Sequence, residues 1–195
     1  MTTHIMVDIE TLGTNGNNPV IQIGAAAFDI ESGFITHAFD KTQDIRQLGE
    51  MNVDPNTLLW WLKTDAELLK TILTSEETTP TLIEDFHRFL TEIQETAGDH
   101  IKFWGNGILF DNRIIKEQME SAGLTYPIRY SKDRDVRTIL DLAADKLGIG
   151  EYELKDKAAE NTASLGLVKH NAIDDVIAQV NLVSYCYNIL TKGRD

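Results

Sequence analysis

The segment at residues 4–13, HIMVDIETLG, most constrains what this chain can fold into, because it places two carboxylates in an apolar strand. Side chains alternate across a strand, so Asp8 and Glu10 project from the same side. The apolar residues around them are typical of a strand buried on both faces. Adjacent carboxylates in such a strand repel each other and lose hydration. Two explanations stay open at this point: the pair lies at the exposed end of an edge strand, or positive charge lies between the two groups.

Hydrophobic periodicity predicts the other elements of the chain. Two further strands are expected at 19–30 and 33–41, joined by a turn at 31–33 to form an antiparallel meander. A later strand is expected at 100–104 and a brief fifth strand at 126–130. Helices are predicted from Asp54-Pro55 onward, over 65–73, after Thr79-Pro80, and over 111–123, 135–148 and 172–190. Strands followed by alternating helices and strands predict an α/β fold with a mixed sheet.

Composition narrows the class of protein. A chain of 195 residues has the length of one domain, so we expect a single domain over 1–195. Cys186 is the only cysteine, which excludes a disulfide framework and a thiolate zinc cluster. No apolar run is long enough to span a membrane and no signal-peptide pattern is present, so a cytoplasmic location is expected. The net charge of −13 argues against a protein that coats duplex nucleic acid, but it permits an enzyme that binds a nucleic-acid end through cations.

Two later segments carry further acids at predicted helix starts. Asp111 begins the helix over 111–123 and shares a helical face with Ile114, Ile115 and Gln118, so we expect it to face inward; a capping role and a functional role both stay open. The segment HNAIDDV contains His170, Asp174 and Asp175 at the start of the last helix. Acids in a first turn favour the helix dipole, so a structural role is open for these residues too. An acid and a histidine near one helix start can also point into a common site.

Taken in order, VDIET, NGILFD and HNAIDD resemble the three motifs of the His-containing branch of the DEDD superfamily of 3′–5′ exonucleases, known as DEDDh. The matching positions are Asp8, Glu10, Asp111, His170, Ala172 and Asp175. The Tyr-containing branch has tyrosine four residues before the last acid, where this chain has Asn171. Asp174 falls outside the motif and is interpreted as a bystander.

The resemblance implies a ribonuclease H-like fold, with a five-stranded mixed sheet, an antiparallel first trio of strands and helices on both faces. The stretches TLLWWL and RDVRTILDLA resemble the branch of ribonuclease T-like exoribonucleases and phage exonuclease A. A metal-dependent exonuclease that acts on single-stranded 3′ ends of RNA or DNA, bound as its partner, is therefore expected. Two alternatives stay open: a phosphodiesterase limited to very short oligonucleotides, and an inactive binding or regulatory module. Relatives commonly form homodimers, so a homodimer is a further expectation.

The resemblance also implies roles for these residues. Carboxylate oxygens suit Mg²⁺ or Mn²⁺, and two such ions roughly 3.5–4 Å apart can stabilise both the attacking and the leaving oxygen of a phosphodiester. The hypothesis assigns Asp8 as the bridging ligand, Glu10 and Asp175 to one ion, and Asp111 to the other. His170 is the candidate general base, because an imidazole titrates near neutral pH. The product would be a nucleoside 5′-monophosphate.

Further residues are candidates for binding the substrate. The resemblance suggests that Thr11, Leu12 and Gly13 meet the terminal ribose. Trp61 lies on one helical stripe with Leu58 and Leu62, so we expect it in the core. Trp60 points nearly the opposite way, and its role stays open between simple packing, base stacking and a subunit interface. Segment 126–137 is locally basic, and Arg134 and Arg137 in it are candidates for phosphate contacts, with a solvated surface as the alternative.

Overall fold

A mixed sheet of six strands runs through the computed structural model, which describes residues 2–192. The strands are β1 (Thr3–Thr11), β2 (Val20–Phe28), β3 (Ile35–Gln43), β4 (Thr78–Thr79), β5 (Ile101–Gly105) and β6 (Asp133–Asp135). Their order across the sheet is β4-β3-β2-β1-β5-β6. The first three strands pair antiparallel, whereas β5 lies parallel to β1 and β6 parallel to β5. The predicted meander and the predicted mixed sheet are confirmed.

Seven α-helices in the described part of the chain surround the sheet. They are α1 (Pro55–Thr64), α2 (Ala66–Leu73), α3 (Leu82–Ala97), α4 (Asp111–Ser121), α5 (Val136–Leu147), α6 (Glu151–Ala159) and α7 (Ala172–Thr191). The start of α1 follows the predicted signal, since the Asp54 side chain accepts the backbone N–H groups of Asn56 and Thr57. Helix α5 ends at Gly148, whose φ of +68° suits glycine. None of the helices in residues 2–192 has the length and apolar composition needed to cross a bilayer.

The two faces of the sheet pack against different helices. Ile5, Val7 and Ile9 of β1 pack in one core cluster with α3 and α4. Met6, on the opposite face of the same strand, packs with residues of α5 and α7. Because side chains alternate, the carboxylates at positions 8 and 10 belong to the face that α7 covers.

The structure corrects the predicted strands. The brief strand expected at 126–130 is absent from that segment, and the chain instead forms the short strand β6 a few residues later, after a 3-10 turn at Tyr130–Lys132. Strand β6 has the sequence DRD, which lacks apolar alternation and is recognisable only through its pairing with β5. The two-residue β4 makes the sheet six-stranded rather than five-stranded. The sequence pattern also predicts no helix at α6, where only Leu154 and Ala158 are buried.

Candidate active site

The two carboxylates of β1 lie in the middle of the sheet, on the face toward α7. Asp8 pairs with Gly24 and Glu10 pairs with Gln22 in the β1–β2 ladder. The Glu10 side chain is buried, and β1 lies between β2 and β5 rather than at an edge. The edge-strand explanation is therefore wrong, and the pair needs another compensation for its charge.

The start of α7 packs directly onto β2 because Gly24 has no side chain. A Cβ at this position would collide with the backbone of Ala172. The Oε1 of Gln22 accepts the Ala172 N–H at 3.1 Å, and its Nε2 donates to Asp40 at 3.0 Å. Asn171 precedes the helix but makes no side-chain cap, so Gln22 supplies an acceptor that a helix N-terminus needs. These contacts hold the first turn of α7 against the carboxylates of β1.

The segment before α7 places a histidine and an acid beside the β1 carboxylates. His170 has a φ of +66°, the one positive φ at a non-glycine position in residues 2–192. Its backbone N–H donates to Asp175 Oδ2 at 3.0 Å. A ring nitrogen of His170 and carboxylate oxygens of Glu10 and Asp175 all lie within 4.8 Å of one another. Asp174 instead accepts the Val168 N–H at 2.9 Å, so it bonds to the preceding loop.

Asp111 reaches the same place from α4. Its side chain is buried, as are those of Ile114 and Ile115, so the inward orientation predicted from the helix pattern is confirmed. The pairing of β1 with β5 ends before Ile9, and the Ile9 backbone N–H lies near the Asp111 carboxyl and favours its charged form. Asp111 is also close enough to Asp8 to affect its ionisation. The structure thus brings together all four acids of the three motifs.

The electrostatics of this cluster disfavour four negative charges. Burial, followed by the charges of the neighbouring carboxylates, raises the pKa of Glu10 to about 10. Burial raises the pKa of Asp111 to about 7, although the Ile9 N–H and the Arg137 guanidinium favour its charged form. Burial is also the main cause that raises the pKa of Asp8 and of Asp175. At neutral pH the four carboxyls must therefore share protons or bind positive charge.

An amide that the sequence analysis missed holds one of these carboxylates. Gln179 Nε2 donates to Asp8 Oδ1 at 2.8 Å, while its Oε1 is buried without a hydrogen-bond partner among the described residues. Gln179 follows Asp175 by four residues, which places both on one side of α7 and could have marked it. No such signal marks Gln22, because its bond to Ala172 spans 150 residues of sequence.

A cleft of about 760 Å³ opens over these groups. The acids, His170 and Gln179 form its floor. Its walls include Asn106 and Phe110 on one side, and Tyr152, Lys155 and Lys169 elsewhere. A cavity of about 270 Å³ beside Asn18 and Gln118 contains none of the predicted acids. The larger cleft is therefore the candidate active site.

The acids of this cleft lie inside a region that one protein-family model describes. The model, of the Rv2179c-like 3′–5′ exoribonuclease domain, matches residues 3–187. The chain belongs to this family. The family is described as a 3′–5′ exoribonuclease domain, so the resemblance to 3′–5′ exonucleases predicted from the three motifs is confirmed. No curated protein matches the chain.

Solved nuclease structures share the fold of this Rv2179c-like domain. Cell-death related nuclease 4 aligns over 96% of this chain and 64% of its own, with 18% identity and a TM-score of 0.63. The nuclease domain of 3′hExo, a DEDDh family member bound to rAMP, aligns over 98% and 93%, with 11% identity and a TM-score of 0.60. Exonuclease I of E. coli in complex with a dA16 oligonucleotide aligns over 95% and 40%, with 15% identity and a TM-score of 0.61. The chain thus spans less than two thirds of the first and third proteins, and the likenesses confirm the ribonuclease H-like fold.

The two tryptophans of α1 occupy different environments in this Rv2179c-like domain. Trp61 is buried, and its Nε1 donates to the Thr11 carbonyl at 3.0 Å, so its assignment to the core is confirmed. Trp60 is 43% exposed, and its ring centroid lies 5.1 Å from that of His170, with the rings nearly perpendicular. Trp60 therefore packs against the predicted general base. Its roles in base stacking and at a subunit interface stay predictions.

The three residues after the β1 carboxylates are buried beside α1. Leu12 packs in a core cluster with Trp61, and the Thr11 hydroxyl donates to the Gly13 carbonyl at 2.6 Å. A Cβ at Gly13 would collide with the Asn18 side chain. The structure places this segment next to Glu10, on the side of the cluster where α1 lies, and its contact with the terminal ribose stays a prediction.

The two predicted phosphate-binding arginines lie at different distances from the acids. A Cβ at Gly107 would lie 3.0 Å from Arg137 Nη2, so the Arg137 guanidinium covers the loop before Asp111 and favours the charged form of that acid. Arg134 Nη1 donates to the backbone carbonyls of Ser131 and Asp133. Only Arg137 of the pair acts on the acid cluster, and phosphate binding by either residue stays a prediction.

The donor atoms at the floor of the cleft fit divalent cations. They are mainly carboxylate oxygens, the ligands that Mg²⁺ and Mn²⁺ prefer. Burial raises the pKa of all four carboxyls, so bound positive charge would relieve a penalty that the folded chain already carries. Glu10, Asp175 and His170 are close enough together to hold one ion. The residues present therefore fit the expected cofactor.

Proposed function

We propose that this domain removes nucleoside 5′-monophosphates one at a time from the 3′ ends of single-stranded RNA, with the help of two divalent cations. The convergence of two buried carboxylates (Glu10 and Asp111), two half-buried ones (Asp8 and Asp175) and His170 in one cleft carries the proposal. An inactive binding module has no need for this set, because each acid is harder to ionise where it stands. RNA is chosen as the substrate because the matching family is described as an exoribonuclease domain.

Each of the four acids and His170 has a definable task. Asp8, Glu10, Asp111 and Asp175 would hold Mg²⁺ or Mn²⁺, whose positive charge would stabilise the attacking and leaving oxygens of the phosphodiester. His170 would accept the proton of the attacking water, since its ring lies next to the Glu10 and Asp175 carboxylates. The His170 backbone N–H donates to Asp175, which fixes the backbone at this residue. The contact with the Trp60 ring restricts where the imidazole can move.

Other groups keep the acids in position. Gln179 fixes the orientation of the Asp8 carboxylate through its hydrogen bond. Gln22 and Gly24 hold α7 against the sheet and so set the distance between Asp175 and the β1 carboxylates. Such preorganisation matters because catalytic groups lose effect when they are displaced by about 1 Å.

Digestion of end-labelled oligomers tests the proposal. RNA and DNA of several lengths, single- and double-stranded and labelled at the 5′ end, are incubated with Mg²⁺, Mn²⁺ or excess EDTA. We expect single-stranded RNA to shorten in one-nucleotide steps with either metal, and no hydrolysis in EDTA or by Asp8→Ala. Full activity in excess EDTA would contradict the metal assignment. Faster digestion of DNA would overturn the choice of RNA, and cleavage restricted to dinucleotides or trinucleotides would favour the short-oligonucleotide alternative.

A further inference from the structure

One wall of the cleft carries an aromatic ring and cations that none of the catalytic tasks uses. Tyr152 and Lys155 lie three residues apart on α6, so they share one side of that helix. Leu154 and Ala158 of the same helix are buried and fix α6 against the core. Tyr152 is 84% exposed although it lines the cleft, so the face of its ring that Lys155 does not cover is open to another molecule.

The charges on this wall are also available for a ligand. The Lys155 ammonium lies 5.7 Å from the centroid of the Tyr152 ring. Neither Lys155 nor Lys169 belongs to an ion pair within residues 2–192, whereas Lys157, on the same helix but outside the cleft, pairs with Glu153 at 2.7 Å. The Lys169 charge also favours the ionised form of Asp175, so this lysine lies close to the acid cluster at the same cleft.

The cleft is long enough to hold more than one nucleotide. Along α7 it extends from Asp175 past Gln179 to Leu182, a distance of about 10 Å at the helical rise of roughly 1.5 Å per residue. Stacked nucleotides follow one another at about 3.4 Å along a strand. The expected ribose-binding residues, Thr11 to Gly13, lie beside α1 and do not line this part of the cleft. The wall at α6 is therefore left for the strand on the 5′ side of the scissile phosphate.

We propose that Tyr152, Lys155 and Lys169 form a subsite for the nucleotides upstream of the bond that is cleaved. A base stacks on the Tyr152 ring, and Lys155 and Lys169 contact the phosphates on either side of it. Stacking platforms combined with cations are how proteins bind single strands without sequence preference. The subsite rests on the proposed function, and it adds that the substrate is a strand of several nucleotides rather than a dinucleotide.

Two substrates of different length test the subsite. One is a single-stranded RNA octamer, and the other is the p-nitrophenyl ester of uridine 5′-monophosphate, which has no upstream nucleotide. The measured quantity is the ratio of kcat/KM for the octamer to kcat/KM for the ester. Loss of one stacked base corresponds to roughly 5- to 150-fold, so we expect Tyr152→Ala to lower the ratio at least about tenfold and Tyr152→Phe to restore it.

Matched controls separate the subsite from general effects. Tyr130 is 90% exposed outside the cleft, so Tyr130→Ala should keep the wild-type ratio. Lys155→Gln should reduce the slope of octamer affinity against salt by about one, whereas Lys157→Gln should not. A Tyr152→Ala ratio equal to that of Tyr130→Ala would overturn the subsite.

A binding measurement keeps this test separate from the proposed function. Wild-type protein that hydrolyses neither substrate would refute the proposed function. The fluorescence anisotropy of a labelled octamer still tests the wall at α6 in that case. We expect Tyr152→Ala to bind the octamer about tenfold more weakly than Tyr130→Ala does, and equal affinities would overturn the subsite.

Discussion

Replacing Glu10 with glutamine removes one negative charge from the acid cluster while keeping the shape of the side chain. In the metal-free protein, burial and the neighbouring carboxylates raise the pKa of Glu10 from 4.5 to about 10. The folded protein therefore binds more protons than the unfolded chain between these two pH values. The contribution of Glu10 to the free energy of unfolding is fully present below its unfolded pKa of 4.5. It is lost progressively as the pH rises toward the folded pKa of about 10. We expect Glu10→Gln to be more stable than the wild type in EDTA, because the amide needs no proton.

The size of this gain follows from the pKa shift. The roughly 2.5 pH units between the unfolded pKa and pH 7 correspond to about 3 kcal/mol of unfolding free energy at about 1.36 kcal/mol per unit. For a chain of this length, about 3 kcal/mol raises Tm by roughly 6–12 °C. This is an upper value, since the neighbouring carboxyls titrate together with Glu10. The gain should shrink toward zero as the pH approaches 4.5, the unfolded pKa of Glu10.

Thermal unfolding followed by circular dichroism checks the prediction across this pH range. The matched control is Glu76→Gln, because Glu76 is an exposed glutamate outside the cleft. Saturating Mg²⁺ should reverse the order, since the wild type binds the cation with its full set of acids and gains more stability. A Glu10→Gln protein that is no more stable than Glu76→Gln in EDTA at about pH 8 would refute this account of the cluster.

Four further substitutions test the assignments within the cleft. Asp175→Asn should lose nearly all turnover, whereas Asp174→Asn should keep most of it, because Asp174 only accepts a loop N–H that an asparagine oxygen can also accept. Measured kcat values in the reverse order would show that the motif register is wrong. His170→Ala should lower kcat by about 10²–10⁴-fold, since the attacking water loses the group proposed to accept its proton. A kcat close to that of the wild type would make His170 a structural residue. Gln179→Leu should raise the Mg²⁺ concentration needed for half-maximal activity about 10–100-fold, because Asp8 loses the donor that orients it. A wild-type Mg²⁺ titration would contradict that positioning role.

The parts of this protein that could be predicted from sequence depend on neighbours along the chain. Alternation within β1 is enough to put Asp8 and Glu10 on one side, and helical spacing is enough to turn Asp111 inward. Helix starts and ends follow local rules too, as the Asp54 cap and Gly148 show. The order of strands and helices predicted the α/β fold, and the ordered motifs predicted the exonuclease family through the resemblance.

Contacts between distant segments account for what could not be predicted. Strand β6 consists of three charged residues and exists because β5 offers free backbone groups for pairing. Gln22 and Gly24 matter because α7, some 150 residues later, packs against them, and no spacing rule covers such a distance. The raised pKa values have the same origin. Asp8, Asp111 and Asp175 are ordinary acids in sequence, and only folding removes their water and brings their charges together, so the need for bound cations is a property of the tertiary structure.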